Sequence, residues 1–398
     1  MEGGTLALPW PSSSQRSRKR IGTDAAVLAA TVVLALVGLV MVFSASAVLA
    51  GNRFHDSIYF LKRQVAWLAF GFLLMHVASR VDYTLWRRLA WPILGLTAVL
   101  LILVLIPSLG VAAKGARRWL HLGPISMQPA ELAKLVMVLY MASYLTKKGG
   151  YVTEWPTGFL PPLIVVGLLG GLLLLQPDLG TAVVIGLVTF GLLFLGGARL
   201  THLFGLVLVT IPVAAVVVLG SSYRRQRFLT FLAPWKDATD AGFQVTQSFL
   251  AFGSGGLFGV GLGEGKQKLF FLPEAHTDFV LALVGEELGL VGTGGIMLLF
   301  AILVIKGFQI AARAREPFGR HLALGITLLI GLQALINAGV VTGLLPTKGL
   351  TLPLVSYGGS SLIVNLLAIG ILLSISRDRQ GGRQTGLYGS GHGGRGFA

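Results

Sequence analysis

The sequence predicts an all-α integral membrane protein with ten transmembrane helices, on three observations. Apolar runs of 18 or more residues recur along the chain, long enough to cross the hydrocarbon layer of a bilayer. Only 12% of residues are charged, and Gly, Pro and charge clusters punctuate the apolar runs. Lysine and arginine are shared unequally between alternate connections, which sets an orientation.

Taken in order, the predicted spans lie near 24–50, 63–79, 89–108, 129–146, 158–176, 179–197, 200–220, 279–305, 320–344 and 357–376. The first run shows no small-residue cleavage site and more spans follow it, so it reads as a retained span and not a signal peptide. Placing "RSRKR" (16–20) in the cytoplasm puts eighteen Lys and Arg inside. Thirteen fall outside, six of them in the connection between spans seven and eight. Long loops translocate largely regardless of charge, so those six are discounted. Eighteen against seven puts both termini in the cytoplasm. Residues 1–23 are polar and Ser/Arg-rich, and 377–398 hold eight glycines in 22 residues. Both tails are expected to be disordered, flanking one domain at 24–376. No internal period of 20–50 residues is apparent.

Composition removes several classes of chemistry. With no cysteine, disulfides, thiolate metal sites and cysteine nucleophiles are excluded. The seven histidines are scattered without HExxH spacing, which argues against a protein-built zinc site. The net charge of +16 suits anionic headgroups and phosphate-bearing substrates better than nucleic acid in a membrane protein. "GSGGLFGVGLGEG" holds seven glycines in thirteen residues but fits neither GxGxxG nor the Walker pattern, so nucleotide binding is rejected.

The outer connections hold the candidate chemistry. The connection at 220–278 is far longer than an ordinary loop, which points to function or disorder. Its first part has the amphipathic, aromatic character of an interfacial helix. It ends in "LPEAHTDFVLALVGEELG" (272–289), which crowds Glu274, Asp278, Glu286 and Glu287 against an apolar run. Thr277 or Asp278 could be the N-cap of the next helix, or Asp278 could carry chemistry; spacing leaves both open. On a continuous helix Glu274 and Asp278 would share a face. Glu286 and Glu287 lie about two turns deeper, where a carboxylate needs a polar cavity or a cationic partner; structural pairing is favoured. The third connection, which faces outward, carries Lys114, Arg117, Arg118 and Trp119, placed to hold headgroups or to grip a substrate phosphate. Glu131 and Lys134 can pair at i,i+3 as a structural ion pair. Lys348 lies on a Pro- and Gly-broken segment, "TGLLPTKGLTLPLVSYGGSS", of the kind that persists at membrane depth only beside protein or a wet cavity. Asp178, in the tight turn "QPDLG", reads as a cap.

The stretches "KGARRWL", "QPAELAK", "QPDLGTAVV", "LPEAHTDF" and "NAGVVTGLLPTKGLTLPLVSYGGSS" occur in this order, and over residues 25–377 the chain resembles the SEDS family (shape, elongation, division and sporulation proteins). "PTKGLTLPLVSYGG" and "PEAHTDF" followed by "GEELG" resemble its division branch more than its elongation branch. The resemblance implies a ten-span fold with a large extracytoplasmic loop between helices 7 and 8. It also implies peptidoglycan glycosyltransferase activity on lipid II, with undecaprenyl-diphosphate-linked glycan as donor. Implied partners are a class B penicillin-binding transpeptidase and other division membrane proteins, at the septum of the bacterial inner membrane. The family's catalytic aspartate matches Asp278. Lys114, Arg117, Arg118, Trp119, Lys348, Glu274 and Ser356 are then the candidates for holding substrate. No cofactor follows with certainty; a divalent cation, Mg or Mn, is the candidate. A lipid II flippase and a non-enzymatic division scaffold are the competing functions.

Overall fold

A computed structural model describes residues 22–381, except 114–115, 123–124, 237–240, 270 and 274. Lys114, Glu274 and the tails at 1–21 and 382–398 therefore lie outside the described residues. The chain is mostly helical. It runs α1 (Gly22–Phe54), α2 (Tyr59–Arg80), α3 (Thr84–Leu105), a three-stranded sheet, α4 (Pro129–Lys148), α5 (Leu160–Leu175), α6 (Leu179–Leu195) and α7 (Leu200–Leu219). Two further helices, α8 (Ser222–Leu232) and α9 (Ala241–Gly255), occupy the long connection. They are followed by α10 (Val280–Arg313), α11 (Pro317–Val341) and α12 (Gly359–Gly381).

Among the described residues, seven helical stretches are long and apolar enough to cross a membrane: α1, α3, α5 together with the helical turn 155–159 that leads into it, α7, α10, α11 and α12. α6 is apolar but shorter, at 17 residues. α2 and α4 are long enough but carry more charge, with Lys62, Arg63 and Arg80 on one and Glu131, Lys134, Lys147 and Lys148 on the other.

The core is built around α4, which buries residues on all sides from Pro129 to Leu145. A helix apolar around its whole circumference belongs in the middle of a bundle, and α3, α6 and α11 pack against it. Pro129 fits the first turn because its missing N–H has no intrahelical partner there. α12 lies along α2. α7 is the opposite case: Leu203 is its single buried residue, and its apolar side chains face outward around the helix. In a bilayer that surface meets lipid.

The all-α expectation is corrected between α3 and α4. β1 (Gly110–Ala113), β2 (Ala116–Leu122) and β3 (Ile125–Met127) form an antiparallel sheet in the order β1-β2-β3. Strands of three to seven residues are too short for alternation to stand out beside apolar spans. The Lys-Gly and Gly-Pro pairs between them were the available turn signals.

The eighth predicted span is also modified. α10 contains a non-helical residue, Gly289, at φ 67 and ψ −163. A short helical segment, 280–288, therefore precedes the long apolar run that follows the break.

Candidate active site

Three pieces of backbone converge at the start of α10: the turn 275–279, the broken segment 342–358, and α11 beneath them. Asn337 of α11 joins the first two. Its side-chain amide donates to the Asp278 carbonyl at 2.9 Å and to the Leu350 carbonyl at 2.7 Å. A buried amide bonded to two loops fixes their separation, because losing either bond would strand a polar group away from water.

Asp278 is half-buried. Its carboxylate lies against the backbone of Gly349, where an added Cβ would come within 3.2 Å of Oδ2. Gly349 directly follows Lys348 in the chain. Lys348 is also half-buried, and burial holds its ammonium below the ordinary lysine value. Its carbonyl accepts from Leu350 N–H at 2.7 Å, which tightens the turn. α8 contributes from the long connection, where Arg227 donates to the Thr347 carbonyl at 3.4 Å.

The capping reading of residues 277 and 278 is corrected here. The N-cap position of α10 falls on Phe279 and has no side-chain cap hydrogen bond. Residues 275–279 form turns, and the shared face drawn for positions 274 and 278 involves Glu274, which lies outside the described residues. Asp178 does cap α6, accepting from Thr181 N–H at 3.2 Å and from the Thr181 hydroxyl at 2.9 Å.

The remaining candidates divide by position. Ser356 is buried, and its hydroxyl accepts from Leu352 N–H at 2.9 Å, so it braces the broken segment from within. Arg117 is exposed and Trp119 half-buried on β2. Arg118 is the extra residue of a bulge, since Val111 pairs with Trp119 and Ala112 with Arg117. A bulge re-aims its side chain. The Arg118 guanidinium donates to the carbonyls of Gln176 and Pro177 in the α5–α6 turn. That bond ties the sheet to the bundle.

The acids expected to be structural are held as follows. Lys134 reaches Glu131 at 2.9 Å and the Gln333 side-chain carbonyl at 2.5 Å, with the lysine only 2% exposed. Glu287 accepts from Lys268 at 2.9 Å, from the Ser44 hydroxyl at 2.7 Å, and from Gly263 N–H at 3.1 Å. Glu286 is satisfied by backbone, taking Lys266 N–H at 2.8 Å and Gln267 N–H at 3.2 Å.

A neighbouring cluster was missed by sequence reasoning. His276 packs against Phe60 and Tyr357 with ring centroids 5.0 and 5.8 Å away, and its carbonyl accepts from Tyr357 N–H at 2.9 Å. Burial raises the Tyr357 phenol above its ordinary value, against the opposing influence of its hydrogen bond with Arg63. Arg63 also lies over the Tyr59 ring at 5.1 Å. Aromatic residues at a predicted span end are ordinary belt residues, so nothing in spacing marked them. Asn337 did carry a signal, because a polar amide within an apolar span needs a partner.

Among the described residues no group of three or more His, Asp or Glu comes together to hold a metal ion. What the site offers is a carboxylate packed on the backbone of Gly349, in the segment that carries Lys348, with both segments held by Asn337 of α11.

Similarities to known proteins agree with this architecture. The family profile of the FtsW, RodA and SpoVE cell cycle proteins matches residues 25–381. The probable peptidoglycan glycosyltransferase FtsW of Geobacter metallireducens is 52% identical over 358 residues, covering 90% of this chain and 96% of its own. Stage V sporulation protein E of Bacillus subtilis is 42% identical over 359 residues, covering 90% and 98%. Among solved structures, a chain of a peptidoglycan synthase complex, described as coordinating polymerization and crosslinking, superposes with a TM-score of 0.73. It is 32% identical and covers 89% of this chain and 97% of that one. The rod shape determining protein RodA of Thermus thermophilus gives 0.65 at 31% identity, covering 89% and 96%. This multi-pass membrane chain belongs to the FtsW/RodA/SpoVE family of cell cycle proteins.

Proposed function

We propose that the chain is a peptidoglycan glycosyltransferase of septal cell-wall synthesis, polymerising lipid II with Asp278 as general base. The observation that carries the mechanism is the placement of the Asp278 carboxylate against Gly349, the residue after Lys348, on two loops clamped by Asn337. The names of its relatives support the reaction class.

In the reaction, the acceptor is the GlcNAc 4-hydroxyl of lipid II and the donor is a glycan chain on undecaprenyl diphosphate. Asp278 accepts the hydroxyl proton as the oxygen attacks the anomeric carbon. The new C–O bond forms as the bond to the diphosphate breaks, and the diphosphate leaves with the electron pair. In-line attack on an α-linked donor gives a β-linkage. Glycoside hydrolysis needs a second carboxyl group to protonate an alkoxide leaving group. A diphosphate leaves as a stable anion and needs cations instead. Lys348 is the cation at the site, with Arg117 and Lys114 of the third connection as further phosphate holders. Glu274 and Trp119 are kept as candidates for holding substrate, while Ser356 and Arg118 act through the backbone they brace. The divalent cation considered from the sequence enters no step.

This reading includes ten spans, with α2, α4 and α6 added to the seven. It places 220–278 outside and both termini in the cytoplasm, with a class B penicillin-binding transpeptidase as partner. A flippase would use ionisable groups open to a path through the bundle. Lys134 and Glu287 are instead each engaged by several partners.

Purified protein with labelled lipid II tests the proposal. Asp278→Asn removes the base, and glycan synthesis should fall by about 10²–10⁴-fold while membrane insertion is unchanged. Undiminished polymer from that variant overturns the assignment. Transbilayer movement of lipid II without polymer points to a carrier, and neither activity, with or without the transpeptidase, points to a scaffold.

A further inference from the structure

The stretch 241–263 contains no Asp, Glu, Lys or Arg, although it belongs to the long connection and not to a span. α9 fills its first part. The remainder turns through four glycines with positive φ: Gly256, Gly259, Gly261 and Gly263. Its side chains point away from the protein, with Leu257 61%, Phe258 80%, Val260 44% and Leu262 57% exposed. In water a patch of this kind promotes association.

The backbone of this loop is built for a dry setting. Gly289 breaks the hydrogen-bond ladder of α10, and the loop supplies the missing partners. Leu290 and Val291 N–H donate to the carbonyls of Gly256 and Leu257 at 3.0 and 3.1 Å. In return Val260 and Gly261 N–H donate to the carbonyls of Glu286 and Glu287 at 3.0 and 3.1 Å. The approach is close enough to require glycine on both sides. A Cβ at Gly255 would fall 1.9 Å from the Gly285 carbonyl oxygen, and one at Gly259 would fall 2.2 Å from that of Glu287. Helix and loop thus complete each other's bonding without water, the condition under which irregular backbone survives at membrane depth.

The level of the loop follows from α10. From Leu290 to Arg313 the helix rises about 36 Å at ~1.5 Å per residue, slightly more than the ~30 Å hydrocarbon layer. Leu290 and Val291, both exposed, therefore open its lipid-facing surface. The loop bonded to them sits at the same level and continues that surface. Glu264 and Lys266, both exposed, mark the return to a polar region.

We propose that residues 256–262 are a re-entrant wedge inserted into the hydrocarbon of the leaflet on the Asp278 side, with acyl chains covering Leu257, Phe258, Val260 and Leu262. The wedge is joined to the candidate site through the clamps at Glu286 and Glu287, which hold 263–268 just ahead of the turn bearing Asp278.

The absence of cysteine makes the test direct. Phe258→Cys, Leu262→Cys and Glu264→Cys each introduce one site for a nitroxide label. The full chain is reconstituted alone in phosphatidylethanolamine–phosphatidylglycerol vesicles. Power-saturation spectroscopy then compares collision with oxygen and with a water-soluble nickel chelate. The proposal expects oxygen to dominate at 258 and 262, and the ratio to invert at 264. Nickel dominating at 258 and 262 overturns it, because the loop is then in water. Exclusion of both reagents also overturns it, because the face is then covered by protein. Two label positions keep the result decisive should one substitution prevent folding.

Discussion

Glu287 shows what a single residue must satisfy in this protein. It is fully buried and shares its carboxylate among Lys268, the Ser44 hydroxyl and Gly263 N–H. Removing one partner of a buried pair strands the other charge, a loss of about 3–5 kcal/mol. Lys268→Met should therefore lower thermal stability in detergent markedly, and adding Glu287→Leu should restore part of it; additive losses would show that the pair is not coupled. Lys348 offers a pH test. Burial lowers its pKa, so it loses its proton at a lower pH than an ordinary lysine. If its charge holds the diphosphate, activity should fall on the alkaline side below pH 10.5, the ordinary value. Lys348→Arg, whose guanidinium stays charged, should move that limb upward in a pH–rate profile. The folding contribution has its own sign. Between the lowered pKa and 10.5 the unfolded chain binds more protons, so this residue makes stability rise with pH in that window.

Among the elements, α10 is the one whose function depends on a defect. Gly289 adopts φ 67 and ψ −163, a region open essentially to glycine alone and costing other residues about 1–3 kcal/mol. An added methyl would also meet Gly259 N at 2.4 Å. Gly289→Ala should thus destabilise the protein by at least about that amount, read as a lowered melting temperature. It should also release the 256–269 loop, seen as faster amide exchange there. Unchanged exchange would show that the break is not what holds the loop. The small sheet is a second element with a positioning role: its bulge residue Arg118 fastens it to the α5–α6 turn.

For the whole molecule, the orientation argued from Lys and Arg requires both termini on one side. Reporter fusions active only in the periplasm should be silent at residues 1 and 398 and active within 220–278; an active fusion at either terminus would reverse the topology. The same arrangement sets the division of labour. α4, buried on all sides, anchors the bundle, while α7 is left to lipid. The candidate site lies where α11 holds two irregular segments together at the bundle rim.

The sequence by itself determined the class of protein, because long apolar runs have no stable home outside a bilayer and the ordered polar motifs identify a family. It also marked Asp278, Lys348 and the Glu131–Lys134 pair, whose charge is conspicuous in an apolar chain. Tertiary structure decided the rest. That Asn337 clamps two loops, that Glu286 is satisfied by backbone, that Arg118 faces carbonyls, and that Ser356 points inward all depend on groups far apart in the chain. Such pairings leave no trace in local spacing, since the hydrogen-bond partner of a buried polar group is chosen by packing, not by sequence neighbours.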